Sequence, residues 1–231
     1  VLDVIAEKSR ELDERFRAVY QEILDDLHKE GIVILSDDQL GDLHADAIAH
    51  LDRYFKDEVL PMLVPIILGK DRPFPQLTDS FIYLAVVMSG VKKRYAILEI
   101  PHLLPRFVTL SDGQLIYMDD VIRRYLNDIF YIFDYDAIAA YEFKISRDAE
   151  LDIDNDFSEG HVRKMERVLR QRKKGRPTRL VYDEKMPKEI LKLLMKELHI
   201  SADDTLIPGG RYHNMKDLMR FPARKPDLSF P

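Results

Sequence analysis

The residues best placed to do chemistry are cations. Between Arg163 and Arg179 stand nine basic side chains, Arg163, Lys164, Arg167, Arg170, Arg172, Lys173, Lys174, Arg176 and Arg179, with Glu166 alone against them. Each cation near a polyanion adds a salt-screened attraction and releases a counterion, so such a run suits phosphate chains or nucleic acid. No aromatic residue is interleaved for base stacking, which makes nucleic acid the weaker ligand. A solvated basic helix face followed by a basic loop accounts for the same residues. Just upstream, Asp148, Glu150, Asp152, Asp154, Asp156 and Glu159 form an acidic run. It fails as a calcium loop: counted from Asp152, the sixth position is Phe157 where Gly is needed, and the twelfth is Arg163 where Glu is needed. Carboxylates at a helix start and in turns explain it better.

A third cluster is Pro208-Gly209-Gly210-Arg211-Tyr212-His213-Asn214. Paired glycines open φ angles closed to other residues, beside an Arg, a His and an Asn, so the turn could hold an anion, or be a tight loop with Asn214 capping a helix from Met215. The sequence contains no GxxxxGK[ST] phosphate loop, no GxSxG elbow and no HExxH zinc helix, and its seven histidines are scattered.

The elements that must position these groups follow from periodicity. Apolar residues from Leu2 through Ile5, Leu12, Phe16, Val19, Tyr20, Ile23, Leu24 and Leu27 recur at helical steps and stop at Gly31, predicting one long amphipathic helix whose stripe belongs to an upstream bundle or else packs onto its own domain. Ser36 caps a second helix running toward Phe55 and Pro61, and the proline-punctuated stretch from Pro61 to Pro75 is expected to be an ordered, extended connection. Phe81–Met88 and Lys93–Ile100 read as a β-hairpin, with further strands at Arg106–Leu110 and Leu115–Met118. Asp119 and Asp120 open a helix, Tyr141–Arg147 returns to strand, Ser158 caps a basic helix, Thr178–Tyr182 is a strand, and Pro187 starts a helix through Leu198. The order predicts an α/β (α+β) fold, a mixed sheet with helices on its faces, behind the long first helix.

Composition narrows the function classes. With 231 residues, 46% hydrophobic and 33% charged, the chain can bury a real core, and no run approaches the ~20 apolar residues of a membrane span. Zero cysteines exclude a disulfide framework and thiolate metal sites, and a cytoplasmic location is the expectation, with membrane association of a full-length enzyme as a further one. The net charge of -6 gives no global pull on anions, so any phosphate binding must be local.

Several blocks together resemble the polyphosphate kinase family, which makes polyphosphate from ATP through a phosphohistidine. They are Arg72-Pro73-Phe74-Pro75 with Leu77, Leu84-Ala85-Val86, Tyr95 through Pro101 with Arg106-Phe107, Asp128-Ile129-Phe130, Phe133-Asp134-Tyr135-Asp136, Ser146 through Glu150, and the Pro208–Asn214 turn followed by Phe221-Pro222. The resemblance implies that residues 1–30 are the last helix of an N-terminal helical domain and 31–231 the head, or middle, domain. It also implies that the nucleotide, magnesium and the phosphorylated histidine belong to other parts of the parent enzyme. No HxKxxxxD-type signature fits a histidine here, since Arg163 stands two after His161 and Met215 two after His213. The family's N-terminal Asn-Leu-Asp-Glu-Phe type motif is expected to lie before Val1. No catalytic residue, metal ligand or cofactor is therefore carried over to this segment; Mg and ATP are expected of the full-length enzyme.

The segment is expected to serve dimerisation and polyanion guidance, in a homo-oligomer whose partners are polyphosphate and ATP rather than specific nucleic acid. Arg147, Arg211 and His213 are the candidate conformational or polyanion-contact residues, with Arg163, Lys164, Arg167 and Arg170 for longer-range attraction. The rival readings are a stand-alone protein-interaction module and an RNA-binding domain.

Overall fold

The computed structural model describes residues 2–69, 72–79, 81–147, 177–201, 205–213 and 215–222. Helix α1 (Leu2–Lys29) forms as the apolar spacing predicts and closes at Gly31, whose φ of 77° is the left-handed value that favours glycine there. The second expected helix is broken. A 3-10 turn at Asp37–Asp42, where Gln39 Oε1 accepts the Ser36 N–H at 3.0 Å, precedes α2 (Ala45–Tyr54), which runs on into a π turn at Phe55–Val59. Within the proline-punctuated stretch, a 3-10 turn at Leu60–Met62 leads to a short edge strand, β2 (Ile66–Leu68), following β1 (Ile34–Leu35) in chain order.

The predicted hairpin is present as β3 (Tyr83–Ser89) and β4 (Arg94–Glu99), paired antiparallel with Tyr83 opposite Glu99 and Met88 opposite Arg94. Two further expected strands exist, β5 (Phe107–Thr109) and β6 (Leu115–Tyr117), but they join β1 in a separate three-stranded sheet instead of extending the main one. Helices α3 (Met118–Arg124) and α4 (Leu126–Ile129) follow, then β7 (Ala137–Arg147), β8 (Pro177–Asp183), α5 (Lys188–Glu197) and β9 (Thr205–Gly209). The main sheet has six strands in the order β2-β4-β3-β7-β8-β9, antiparallel except for the β8–β9 pair. The architecture is thus the mixed-sheet α/β fold with helices. The expected basic helix after Ser158 and the acidic run before it lie outside the described residues.

Alternation along the strands sorts the interior into two cores. Leu84, Val86 and Met88 of β3 and Ala140 of β7 face one way, and pack with Leu51 and Phe55, with Ile116 of the small sheet, and with Val121 and Ile122 of α3. Tyr83, Ala85, Val87, Phe143 and Ile145 face the other way onto Ile190 and Leu194 of α5. A one-residue slip of β3 would exchange the two sets, so the double burial pins its register.

Candidate functional site

On the first-core side, beyond Ala140, β7 presents Glu142 where strand alternation demands an inward residue, and it is fully buried. An isolated carboxylate there is costly, so the surrounding elements supply partners. Arg106, just before β5, sends Nη2 to Asp119 Oδ1 at 2.8 Å, and also donates to Glu142 Oε1 and to the His213 carbonyl, each at 3.4 Å. Its Nε lies 2.7 Å from Asp119 Oδ2, a charge contact without hydrogen-bond alignment. Nη1 reaches Asp217 Oδ2 at 3.4 Å, in the 3-10 turn Met215–Arg220. Asp119 and Asp120, both fully buried, are set by the opening turn of α3.

Asp120 is the second hub. Its Oδ1 accepts from Arg123 Nη1 at 2.8 Å and from Arg211 Nη2 at 2.6 Å, and its Oδ2 accepts the Tyr212 hydroxyl at 2.5 Å. Arg211 also bonds Asp37 at the start of the first 3-10 turn. Arg123 Nε reaches the Ala140 carbonyl at 3.2 Å, fixing α3 to β7. The Tyr212 ring stacks on Tyr117 with centroids 4.3 Å apart, and Tyr117 meets Tyr20 of α1 hydroxyl to hydroxyl at 2.6 Å. The turn after β9 is held again by its backbone: the His213 N–H donates to Glu142 Oε1 at 2.6 Å.

The electrostatics are those of a closed clamp. Burial first, then the adjacent Glu142 charge, push the Asp119 carboxyl up to about 7, with Arg106 pulling the other way. Burial likewise raises Glu142, and Asp119 and Arg106 moderate it. A proton kept on Asp119 and shared toward Glu142 answers the carboxylate oxygens, Asp119 Oδ2 and Glu142 Oε2, that otherwise lack a hydrogen-bond donor. Burial opposes the charge of Arg106, but Asp119, Glu142 and Asp217 outweigh it and hold its pKa above the ordinary arginine value. Burial drives His213 down to about 4, against the pull of Asp119 and Asp183. Its ring is neutral at pH 7, and its Nδ1, 3.3 Å from Glu142 Oε1, is out of hydrogen-bond alignment. Gly209 permits this packing, since a Cβ there would stand 2.8 Å from His213 Nε2.

The structure brings Arg211 and His213 into one cluster and leaves Arg147 elsewhere. At the end of β7, Arg147 donates from its backbone N–H to Asp79 Oδ2 at 3.0 Å and pairs through Nη1 with the same carboxylate. Arg163, Lys164, Arg167 and Arg170 lie outside the described residues, as does Asn214. The sequence reading missed Asp37, Arg106, Arg123 and Glu142 as cluster members, and took Asp119 and Asp120 only as a helix opening. The readable signal was Glu142, one carboxylate at an inward position of a strand that otherwise buries Ala140, Phe143 and Ile145. Among the described residues no group of three or more His, Asp or Glu could hold a metal ion.

Fold and clamp together define a mixed-sheet α/β domain closed by an internal ionic lock. The family model described as the polyphosphate kinase middle domain matches residues 47–221, and the chain belongs to that family. It is 38% identical over 233 residues to the polyphosphate kinase of Vibrio vulnificus (strain YJ016) and 36% identical over 232 to that of Escherichia coli (strain K12). Both comparisons take in 96% of this chain and 33% of the relative, so the chain spans about a third of the length of the curated relatives it matches. The crystal structure of the Porphyromonas gingivalis polyphosphate kinase superposes with a TM-score of 0.75 at 28% identity, over 98% of this chain and 32% of that one.

Proposed function

We propose that this chain is the non-catalytic head of a polyphosphate kinase. In the parent enzyme the terminal phosphoryl group of ATP moves to a histidine nitrogen, releasing ADP, and then to the end of a polyphosphate chain, reversibly. ATP and Mg are assigned to the parts of the parent outside residues 1–231, with 1–30 contributed to a helical domain and 31–231 forming the head. In this reading the segment supplies a homo-oligomer contact and cationic guidance for the polymer, by Arg163, Lys164, Arg167 and Arg170, while Arg147, paired with Asp79, takes a conformational part at the end of β7. Arg211 and His213 take the conformational part, locking the turn after β9 to α3 and β7.

The observation that carries the reading is the fate of the polar residues. Arg106, Arg123 and Arg211 are each engaged by carboxylates, and His213 is buried, neutral and packed against Gly209. A nucleophilic imidazole must reach the γ-phosphate, and guanidiniums that stabilise a transferring phosphoryl group must face it; neither condition is met inside this lock. Incubation of the 231-residue chain with radiolabelled ATP and Mg tests the assignment: no acid-labile phosphate is expected on it, whereas the full-length parent should acquire phosphohistidine. Acid-labile labelling of the short chain would overturn the non-catalytic reading.

A further inference from the structure

We propose that an apolar band running from the edge strand β2 across Leu103 to Met219 is the docking surface for the part of the parent enzyme that follows the head in the same polypeptide. This assignment rests on the polyphosphate kinase reading, and gives the head a place of contact with the parts that carry the chemistry. The band begins in the sequence. Residues 60–68 read Leu-Pro-Met-Leu-Val-Pro-Ile-Ile-Leu, nine in a row without a charged or hydrogen-bonding side chain. Leu63 turns into the first core, while Leu60, Met62, Val64 and Ile66 stay exposed, Val64 by 70%. Edge strands are ordinarily guarded by charge or covered by another element. β2 carries no charge, pairs with β4 on one side and, among the described residues, with no strand on the other. Pro61 and Pro65 lack the N–H that strand addition needs, so side-chain burial is the mode of contact this edge favours.

The tertiary structure extends the band. A concavity of about 210 Å³ is walled by Met62, Val64, Ile66 and Leu103, and a groove of about 950 Å³ has Phe81, Phe107 and Met219 in its wall. Pro101, His102 and Leu103 line both, so the two are contiguous. Leu103 is 73% exposed and Met219 90%. Met62, Val64, Ile66, Leu103 and Met219 thus stand in water along one path. Apolar side chains exposed singly need no explanation, but a contiguous run of them marks a contact surface.

The exit of the chain selects the occupant. Phe221 sets its ring edge-on against Phe107 at 5.2 Å, and Met219 and Pro222 stand in the groove wall, so the polypeptide beyond Pro222 leaves from the band itself. The matched family model is a middle domain, and this chain is 33% of its Vibrio vulnificus relative, so a parent of that length has much polypeptide to place beside this exit. A segment tethered by a short linker reaches an effective concentration of about millimolar. A second copy must instead arrive by diffusion, bringing its own net charge of -6 against this one. Residues 60–68 offer no charge to pair with, so the face that fits them is apolar.

Amide hydrogen exchange of the 231-residue chain and of the full-length parent tests the surface. Residues 60–68 and 102–104 are expected to exchange at least about tenfold more slowly in the full-length protein, at every protein concentration. A parent cut after Pro231, with everything upstream kept, should lack that extra protection. Val64→Lys/Leu103→Lys should abolish it in the full-length protein and lower polyphosphate synthesis, while leaving the melting temperature of the 231-residue chain, where both side chains are exposed, unchanged. Should the full-length double variant not fold, Met219→Lys alone, at the most exposed of these side chains, is expected to reduce the protection. Tyr131→Lys/Ile132→Lys, at exposed apolar sites outside both linings, should keep it in full. Equal exchange in the short and full-length chains, or protection that survives the Val64 and Leu103 changes, would remove the docking surface. Protection that fades on dilution would transfer the band to a second copy, and protection kept by the cut parent would move the occupant upstream; either overturns the assignment. A full-length parent that gains the protection but no phosphohistidine would sink the kinase reading and leave the surface standing.

Discussion

Asp119 and His213 are two residues of the lock whose protonation in the fold departs from their behaviour in an unfolded chain, and they depart in opposite senses. The native state keeps a proton on Asp119 up to about pH 7, whereas the unfolded chain releases it near its ordinary value of about 4. Across that interval the folded state binds more protons, so this group makes stability fall as pH rises. His213 works the other way: neutral in the fold down to about 4, it is protonated in the unfolded chain below about 6.5. Its contribution therefore rises as pH climbs from about 4 to about 6.5, and is level above. The groups facing it, Asp119, Asp183, Arg106, Lys144 and Glu142, set that balance. The two slopes offset each other in the wild type. Asp119→Asn, which preserves shape and a donor toward Glu142, should remove one share of the falling slope, so that urea-unfolding stability gains on the wild type from pH 4.5 to pH 6.5, with the raised Glu142 still opposing the histidine. His213→Gln should leave the carboxyl slope, and stability should decline over the same range. Superimposable profiles for both variants and the wild type would mean that neither group titrates in the lock as described.

At the scale of elements, the lock joins segments that no local pattern connects. The hairpin β3–β4, the strand after Tyr141, and the helices opening at Asp119 and Pro187 were legible because their periodicity and punctuation are local. Strand β9 was not, because Pro208 and paired glycines signal a turn; parallel pairing with β8, with Leu180 opposite Leu206, overrides that signal. The placement of β5 and β6 in their own sheet was equally hidden, since it depends on β1, a strand of two residues, pairing with β6 from far away in sequence. The cluster itself was legible in Arg211 and His213 and, by its inward place on a strand, in Glu142, whereas Asp37, Arg106 and Asp120 join them through tertiary contacts alone. Gly209 is the residue where this element-level fit is tightest. A Cβ there would meet His213 Nε2 at 2.8 Å and Val181 Cγ1 at 3.4 Å, and the buried ring has little room to yield. Gly209→Ala is expected to cost about 1–3 kcal/mol through overpacking. In a domain of this size that is roughly 2–4 °C of Tm per kcal/mol. Adding His213→Ala removes the obstructing ring, so the double variant should lose less than the two single losses summed; strict additivity in a thermal-melt cycle would show that the two residues do not press on each other.

For the molecule as a whole, the question is whether α1 belongs to the same cooperative unit as the sheet. Its apolar stripe faces outward: Leu12 is 66% exposed, Val19 46% and Ile23 49%, values out of keeping with a helix that finds its partner within this chain. None of the α1 side chains among the described residues appears in either hydrophobic core, whereas Leu35 and Leu40, shortly after it, are already buried in the first. Among the described residues, its side-chain ties to the body include the Tyr20–Tyr117 hydroxyl pair and a long, exposed ion pair between Arg17 and Glu184 at 3.5 Å. The family match, beginning at residue 47, does not include it. Exposed ion pairs contribute between nothing and about 1 kcal/mol, and one hydrogen bond about 1 kcal/mol net. Deleting residues 1–30 should therefore leave a chain that still unfolds in one cooperative transition, with Tm lowered by no more than about 2–8 °C. The shortened chain should also stay monomeric to higher concentration, because it has shed an apolar stripe that invites association in water. Loss of the cooperative transition on truncation would place α1 inside the head and move the proposed boundary at residue 30 upstream. Retention of the transition with a Tm unchanged to within a degree would mean instead that even the Tyr20–Tyr117 contact contributes nothing to holding the body together.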